Sequence, residues 1–246
     1  LKGLRWRAVI RRKTDYHVAA TSVAITGDQT ATGVTFQTAD GQRQTIAAAH
    51  VFIHQGVVPN VNLTMATDLA HRWHSRQLCW TPRTDMYGQT SVEGIFVAGD
   101  GMGISGAAAA ALSGRLAARR IVANAKGSPL FMAPIWRVLK WRQAAIRPFL
   151  DHLFRPPDEW RIPQDAETIV CRCEALTKAD VVAAVALGVL GPNQLKGYCR
   201  AGMGRCQGRM CALTIQKIIH DHNGGTEEAV GHLGVRPPIR PWTVGE

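Results

Sequence analysis

The sequence is short of acidic residues, and its cysteines are almost confined to one region. Asp and Glu number 18 against 29 Lys and Arg, so the formal net charge is +11. Of the six cysteines, only Cys79 precedes residue 170. The 246 residues contain no apolar run of about eighteen residues and no N-terminal order of charged, apolar and small residues, which argues against a membrane-spanning helix and a signal peptide. We therefore expect a cytoplasmic chain, with a peripheral contact at the inner membrane as the alternative.

The positive charge is open to more than one interpretation. Nucleic-acid binding is disfavoured because the sequence has neither an RRM aromatic signature nor a C2H2 finger. A solvated basic face, or a surface that meets an acidic partner subunit, explains the charge better. Residues 135–154 are both basic and amphipathic. We expect this segment to pack against a neighbouring domain or subunit, and a membrane surface is the less favoured contact.

Short strands are predicted in the N-terminal part of the chain. Between residues 4 and 52, runs rich in Val, Ile, Thr and Phe alternate with turn signals at Gly27-Asp28 and Asp40-Gly41, which is typical of hairpins. The first predicted strand is "RWRAVIRR" at residues 5–12. The segment "HVFIHQGVVPN" at residues 50–60 is predicted to be a buried strand.

Prolines and cysteines divide the chain into three regions. Six prolines fall within residues 128–165 and mark a linker that contains the amphipathic segment. The linker separates residues 1–127 from residues 166–246, where five of the six cysteines lie.

Helices are predicted from caps and stop signals. Thr177 and Asp180 form a capping-box pair, which indicates that a helix begins after Thr177. The predicted helices are Ala107–Ala125, ended by Gly127; Lys178 to about Leu187; a helix capped by Asn193 that continues through Arg200; and Ala212–His222, ended by Gly224-Gly225.

Four of the cysteines form two close pairs along the chain. Cys171 and Cys173 enclose one residue, and Cys206 and Cys211 enclose four. Clustered thiolates bind zinc or an iron–sulfur cluster, and a reducing compartment disfavours disulfides. Zinc ribbons and knuckles favour C-x2-C, a spacing that neither pair has.

Glycines surround the second cysteine pair. Gly202, Gly204 and Gly208 let the backbone bend closely around a bulky centre and direct N–H groups at sulfur. This favours a [2Fe–2S] cluster, while a zinc site or a disulfide remains the alternative. Cys199 lies inside a predicted helix, and we interpret it as a buried structural thiol.

The segments "CRCE" (171–174), "AGMGRCQGRMC" (201–211) and "RPPIRP" (236–241) carry a specific resemblance. They resemble the bacterioferritin-associated-ferredoxin-like [2Fe–2S] domain attached to the larger subunits of opine oxidases, hydrogen cyanide synthase and dye-linked proline or hydroxyproline dehydrogenases. The resemblance covers about the last eighty residues. It implies four cluster ligands, namely Cys171, Cys173, Cys206 and Cys211.

Residues 94–107, "GIFVAGDGMGISGA", have the order of strand, glycine-rich turn and helix. Ile95–Ala98 is predicted to be a buried strand, which places Asp100 at its carboxyl end, where open α/β sheets bind ligands. The carboxylate of Asp100 could accept hydrogen bonds from ribityl or ribose hydroxyls. Backbone N–H groups at Gly101–Ile104 could meet a phosphate.

"TSVEGIFVAGDG" resembles the second flavin-contacting motif of the two-dinucleotide-domain flavoproteins, the glutathione-reductase-like superfamily. "VFIHQGVVPNVNL" resembles the strand and crossover by which that family returns to its FAD domain. The implied fold is α/β, a partial two-dinucleotide-binding-domain flavoprotein fold over residues 1–127, followed by a small helical [2Fe–2S] domain. The flavin contacts implied are Gly99, Asp100, Gly101, Met102, Gly103 and Ile104.

The chain departs from this superfamily at its start. No G-x-G-x-x-G motif after a strand opens it, and its first residue is Leu1. We therefore expect the chain to be the C-terminal half of a larger flavoprotein. A partner chain or an N-terminal segment would supply the half that completes the FAD site, and the choice between FAD and FMN stays open.

The resemblance also implies a function. It indicates an electron-transfer subunit of a heteromeric flavin-dependent amine or amino-acid dehydrogenase acting on an opine, proline, hydroxyproline or glycine. An amino-acid-oxidase-like partner subunit would oxidise the C–N bond, and electrons would pass through flavin and the [2Fe–2S] cluster to a quinone or another small acceptor. No catalytic residue is assigned to this chain. The alternatives are a zinc-stapled scaffold without redox activity and a regulatory module that senses iron or redox state.

Overall fold

The computed structural model describes residues 2–54, 56–127, 129–130, 133–241 and 243. The chain forms two compact units, Leu1–Gln55 and Gly56–Glu246. All the site residues predicted from the sequence lie in the second unit.

The first unit contains one helix and a three-stranded antiparallel sheet. The elements are α1 (Lys2–Lys13), β1 (Thr21–Thr26), β2 (Gly33–Gln37) and β3 (Arg43–Ala47). Strand β2 is central and pairs with both neighbours, which confirms the two predicted hairpins. Thr35 and Phe36 of β2 are buried, and the ring of His17 packs against Phe36 at a centroid distance of 4.8 Å.

The segment "RWRAVIRR" is helical, so the strand predicted there is wrong. Its two β-branched residues, Val9 and Ile10, are adjacent and do not alternate with polar positions, and the surrounding arginines and alanine favour a helix. The last turn of α1 carries Arg11, Arg12 and Lys13. These cations interact favourably with the negative end of the helix dipole.

Two predicted buried strands do not form. Residues 50–54 and 56–60 have no regular secondary structure, and Phe52 is 95% exposed. At Ile95–Ala98 the backbone makes one isolated bridge, between Phe96 and Gln89. A buried strand needs neighbours that pair its N–H and C=O groups. Within the described ranges, neither segment belongs to a sheet.

The second unit begins with a short helix, a hairpin and a long helix. These are α2 (Asn62–Ala66), β4 (His71–His74), β5 (Cys79–Pro82), a 3-10 turn (Gly99–Met102) and α3 (Ala107–Lys126). The hairpin is antiparallel and sets Trp73 opposite Trp80. Helix α3 confirms the predicted alanine-rich helix, and Gly127 ends it in the left-handed conformation that glycine adopts without strain.

The predicted linker is largely helical. It contains α4 (Ala133–Ala144), α5 (Arg147–Leu153) and α6 (Asp158–Arg161). The amphipathic segment is therefore two helices, and Pro148 lies in the first turn of the second. Helix α4 packs along α3. No helix in the described part of the chain is long and apolar enough to cross a bilayer.

The cysteine-rich region has its own core inside the second unit. Its elements are β6 (Ile169–Cys171), β7 (Leu176–Thr177), α7 (Lys178–Val185), α8 (Pro192–Cys199), α9 (Ala212–Asn223) and α10 (Glu227–Val230). Val181, Val185, Leu195, Ile215 and Ile219 from three of the helices have no exposed surface. Removal of this apolar surface from water stabilises the packing of α7, α8 and α9.

The helix caps of this region are mostly those predicted. Thr177 accepts the backbone N–H of Asp180, and the Asp180 carboxylate accepts the N–H of Thr177, which confirms the capping box. The cap predicted at Asn193 is wrong, because Gly191 precedes α8 and Pro192 opens it. Asn193 instead holds the C-terminal segment, since its side chain accepts the N–H of Gly234 at 2.7 Å.

Candidate functional site

Elements of the cysteine-rich region position the four predicted cluster cysteines. Cys171 ends β6, Cys173 lies in the turn before β7, and Cys211 immediately precedes α9. Cys206 lies in the cluster loop, which we define as residues 202–210. Cys171 and Cys211 are each 1% exposed, whereas Cys206 is partly buried and Cys173 is exposed. A centre bound here would have one side in the core and one side near solvent.

The thiols approach one another in two pairs, Cys171 with Cys211 and Cys173 with Cys206. Burial raises the pKa of Cys211, and the adjacent Cys171 thiol raises it further. The Cys173 thiol donates a hydrogen bond to Cys206 and favours its thiolate. Cys206 also contributes to the raised pKa of Cys211, so the two pairs adjoin.

Backbone N–H groups surround the sulfur of Cys206. Burial opposes ionisation of this thiol, but the N–H groups of Met210, Gly208 and Arg209, together with the Cys173 thiol, outweigh it and lower the pKa. Hydrogen bonds of this kind stabilise a thiolate and are the usual outer-shell partners of ligating sulfur. The glycine-rich sequence of the loop therefore produces the N–H arrangement that was predicted from it.

The donor set fits a binuclear centre. Within the described residues, no group of three or more Cys, His, Asp or Glu side chains is arranged to hold one metal ion. Two adjoining thiol pairs match a [2Fe–2S] cluster, because such a cluster takes two thiolates at each of its irons. All six cysteines lie in the described ranges and carry free thiols.

Gly204 lets the cluster loop approach Cys173 closely. A Cβ atom added at Gly204 would lie 2.2 Å from Cys173 Cβ and 3.2 Å from its Sγ. Contacts of 2.2 Å between carbon atoms do not occur, so any side chain here would force the loop away from Cys173. Glycine at 204 is therefore a condition for bringing Cys206 and Cys173 together.

Cys199 lies near Cys171, which adds to the raised pKa of its thiol after burial, but its own hydrogen bond goes to the backbone. It is the last residue of α8, it is partly rather than fully buried, and its thiol donates to the carbonyl of Leu195 at 3.6 Å. Burial raises the pKa of this thiol. Its packing against the core of α7 and α9 accords with a structural role.

The predicted flavin loop, Gly99–Ile104, forms a 3-10 turn that leads to α3. Asp100 is exposed, and its carboxylate accepts the N–H of Ser105 at 3.5 Å. The N–H of Gly103 donates to the Asp100 carbonyl at 3.0 Å. The N–H of Ile104 donates to Gln77 Oε1 at 3.3 Å. The N–H groups of Gly103 and Ile104 therefore have partners within the chain.

Gln77 clamps the flavin loop to α5. Its Nε2 donates to the Ile104 carbonyl at 2.9 Å and to the carboxylate of Asp151 at 3.2 Å. Asp151 is 8% exposed and forms an ion pair with Arg147. Because Gln77 also accepts the Ile104 N–H, one amide satisfies both backbone groups of that residue.

Strand β5 connects the flavin loop to the cluster loop. A Cβ added at Gly103 would contact Thr81 at 3.8 Å, so Thr81 lies beside the flavin loop. The preceding Trp80 donates its indole N–H to Gln216 of α9 at 2.8 Å. A cavity of about 60 Å³ separates Trp80 from Gln207 and Gly208 of the cluster loop.

Aromatic packing fixes Trp80 in this position. Its ring meets Trp73 and His232 edge-on, at centroid distances of 5.5 and 5.3 Å. The ring centroid of His71 lies 5.7 Å from that of His232. Burial lowers the pKa of His71, the Leu69 carbonyl opposes this change, and His232 adds to it.

The long-range contacts around the two loops could not be predicted from the sequence. Asn62 Nδ2 donates to the Gln207 carbonyl at 2.7 Å across 145 positions of sequence. Trp80 and Gln216 are 136 positions apart, and Gln77 and Asp151 are 74 apart. Asn62 and Gln207 lie within segments that resemble family motifs, but no motif indicates any of these three contacts, so only the three-dimensional structure identifies them.

Replacement of Gln77 with methionine should loosen the flavin loop. Methionine keeps the length of the side chain but leaves the N–H and C=O of Ile104 without their partner, at an expected loss of about 1–3 kcal/mol of unfolding free energy. Chemical denaturation monitors this loss, and the flavin content of the complex should fall with it. Gln42→Met in the first unit is the control, and an equal loss in both variants would contradict the clamp.

Comparison with known proteins finds one family match in each part of the chain. Residues 169–221 match the family of the BFD-like [2Fe-2S] binding domain. Residues 5–114 match the family of pyridine nucleotide-disulphide oxidoreductases. All four predicted cluster ligands fall within the first match, and the predicted flavin loop falls within the second.

The similarity to complete proteins extends along the whole chain. An opine oxidase subunit of Rhizobium meliloti is 40% identical over 251 residues, which cover 100% of this chain and 47% of the relative. The corresponding opine oxidase subunit of Agrobacterium tumefaciens is 40% identical over 253 residues, which cover 100% of this chain and 50% of the relative. Hydrogen cyanide synthase subunit HcnB of Pseudomonas protegens is 30% identical over 208 residues, with coverages of 80% and 42%. The chain thus spans about half the length of these relatives.

A solved structure shares the fold. The crystal structure of L-proline dehydrogenase from P. horikoshii aligns with a TM-score of 0.69 at 19% identity, over 100% of this chain and 48% of that one. The chain is therefore similar along its whole length to these opine oxidase subunits, and it joins a stretch that matches the pyridine nucleotide-disulphide oxidoreductase family, of the kind that binds FAD, to one that matches the BFD-like [2Fe–2S] binding domain.

Proposed function

We propose that the chain is the electron-transfer part of a heteromeric, flavin-dependent dehydrogenase that acts on the C–N bond of an amine or amino acid. The observation that carries this proposal is the connection made by β5. Thr81 on this strand lies beside the predicted flavin loop, and Trp80 binds α9 next to the cluster loop. Both loops therefore belong to one compact unit, with β5 and a small cavity between them.

The two groups would supply different chemistry when bound. A flavin accepts the two electrons of substrate oxidation, and a [2Fe–2S] cluster carries one electron at a time. The residues of this chain would hold and position them. Cys171, Cys173, Cys206 and Cys211 would ligate the cluster, and the N–H groups around Cys206 would tune its potential.

At the flavin loop the chain supplies part of a site. The exposed carboxylate of Asp100 is able to accept hydrogen bonds from ribityl or ribose hydroxyls. Gln77 keeps Ile104 in place, and Gly99 donates its N–H to Ser113 at 2.7 Å, which fixes the turn against α3. The rest of the flavin site would come from a partner chain or another segment of the same polypeptide.

The relatives support a proposal for the partner and the substrate. The opine oxidase and hydrogen cyanide synthase relatives are both named as subunits, and we infer that this chain also works beside an amino-acid-oxidase-like subunit that oxidises the substrate. An opine, proline, hydroxyproline or glycine is the substrate class. Electrons would leave the cluster for a quinone or another one-electron acceptor.

Purification of the intact complex tests the function. Mass spectrometry and metal analysis should find this chain together with a second flavoprotein chain, flavin and iron. Anaerobic addition of an opine, proline, hydroxyproline or glycine should then bleach first the flavin and afterwards the cluster absorption for one of these substrates. A complex without a second flavoprotein, or a cluster that no reduced flavin can reduce, would contradict the proposal.

A further inference from the structure

A basic groove lies beside the cluster loop. It has a volume of about 310 Å³ and is lined by Arg205, Arg236, Arg240, Met203, Gln207 and three prolines of residues 237–241. We call it the arginine groove. The three arginines are exposed, and no carboxylate occurs among the described residues that line it.

The arginine groove is attached directly to the cluster cysteines. Met203, Arg205 and Gln207 of one wall alternate with Gly204 and Cys206. The other wall is held in place by Arg209, which donates to the carbonyl of Ile239 at 3.1 Å and lies 3.5 Å from the carbonyl of Cys206. The groove therefore cannot form independently of the cluster loop.

The groove lies on the side where the cluster site is open. Cys171 and Cys211 face the buried core, whereas Cys173 is exposed. Gly204, between the two groove residues Met203 and Arg205, contacts Cys173. An electron that leaves a cluster held by these thiols has its shortest path to solvent on this side.

A methionine provides apolar contact area among the arginines. Met203 lines the groove and is 42% exposed. Exposed methionine and arginine together, with few acidic residues, are the composition that protein interfaces enrich. A site for a small anion would instead enclose its ligand and bury the groups that bind it.

We propose that the arginine groove is the docking surface for an acidic one-electron carrier protein that oxidises the cluster. The inference rests on the proposed function, because it states at which side electrons leave the same cluster. Opposite charges would steer the carrier to the groove and orient it, and Met203 would pack against it. One electron passes from the reduced cluster to the oxidised carrier, and no proton moves and no covalent bond changes.

A binding experiment tests the surface itself. The full chain is titrated into fluorescein-labelled hexaglutamate, and fluorescence anisotropy reports binding. We expect binding that weakens as salt is added, and about tenfold weaker binding by the variant R205Q/R236Q/R240Q. Free glutamate at the same carboxylate concentration should not compete, and full competition would show a small-anion site and overturn the proposal.

A matched variant separates local charge from net charge. Arg5, Arg12 and Arg43 are exposed residues of the first unit, and R5Q/R12Q/R43Q removes the same three charges. This variant should bind hexaglutamate like the unchanged protein. Equal losses in the two triple variants would overturn the assignment of the groove.

A kinetic experiment connects the groove to electron exit. The dithionite-reduced chain is mixed in a stopped-flow instrument with ferricyanide, an anion, or with hexaammineruthenium(III), a cation. R205Q/R236Q/R240Q should slow oxidation by ferricyanide about tenfold and leave oxidation by the cation no slower. Bound hexaglutamate should also slow oxidation of the cluster by ferricyanide. An unchanged rate with ferricyanide in the triple variant would contradict the proposal that electrons leave the cluster at the groove. A chain that binds no cluster would refute the proposed function, while the anisotropy experiment would still decide the groove.

Discussion

Replacement of Cys173 with alanine should abolish cluster binding while leaving the fold intact. The Cys173 thiol is exposed and donates to Cys206, whereas its loss removes little buried surface. A [2Fe–2S] cluster needs four protein ligands, so the purified variant should lose nearly all of the roughly two irons per chain. Iron analysis and visible absorption measure the loss of the cluster, and circular dichroism measures whether the fold is retained.

Cys199→Ala is the matched control for this variant. Cys199 is also a free thiol close to the core, but it hydrogen-bonds to Leu195 and lies outside the two pairs. Its alanine variant should keep its iron and its visible absorption. Loss of iron from Cys199→Ala, or retention of iron by Cys173→Ala, would show that the ligand set is wrong.

Gly204→Ala should disrupt the site by crowding rather than by removing a ligand. The added Cβ would lie 2.2 Å from Cys173 Cβ and 3.1 Å from Glu174 Oε1. Crowding at a packed position costs about 1–3 kcal/mol, and here the strain falls on the contact that joins Cys173 to Cys206. We therefore expect a large loss of iron together with a lower midpoint of chemical denaturation.

Gly197→Ala should have the opposite effect on stability and should leave the iron content unchanged. Gly197 lies inside α8, and a Cβ added there meets nothing within 4 Å. Alanine is favoured over glycine in a helix by about 1 kcal/mol, so this variant should be slightly more stable and keep its cluster. Similar iron contents in the two alanine variants would refute the close approach at Gly204.

Local sequence signals predicted much of the cysteine-rich region. The Thr177 and Asp180 capping box and the stop at Gly224 depend on a few neighbouring residues, and the structure has both. The family resemblance implied that the four thiols form one ligand set, and the N–H groups around Cys206 follow from the glycines of the loop. These features depend on short stretches of chain, which is why a single sequence carries them.

Features that depend on distant neighbours were not predictable. The strands expected at 50–60 and Ile95–Ala98 have the composition of buried strands, but within the described ranges no other strand pairs with them in a sheet. The clamp by Gln77 and the bridge from Trp80 to Gln216 join residues far apart along the chain. The error at "RWRAVIRR" had a different cause, because adjacent Val9 and Ile10 were given more weight than the helix preference of the arginines around them.

Iron and sulfide analysis of the purified chain, combined with absorption before and after dithionite, tests the central claim most directly. Four thiols in two adjoining pairs predict about two irons and two sulfides per chain and a brown colour that bleaches on reduction. A colourless protein that contains one zinc per chain, and whose spectrum dithionite does not change, would contradict the account.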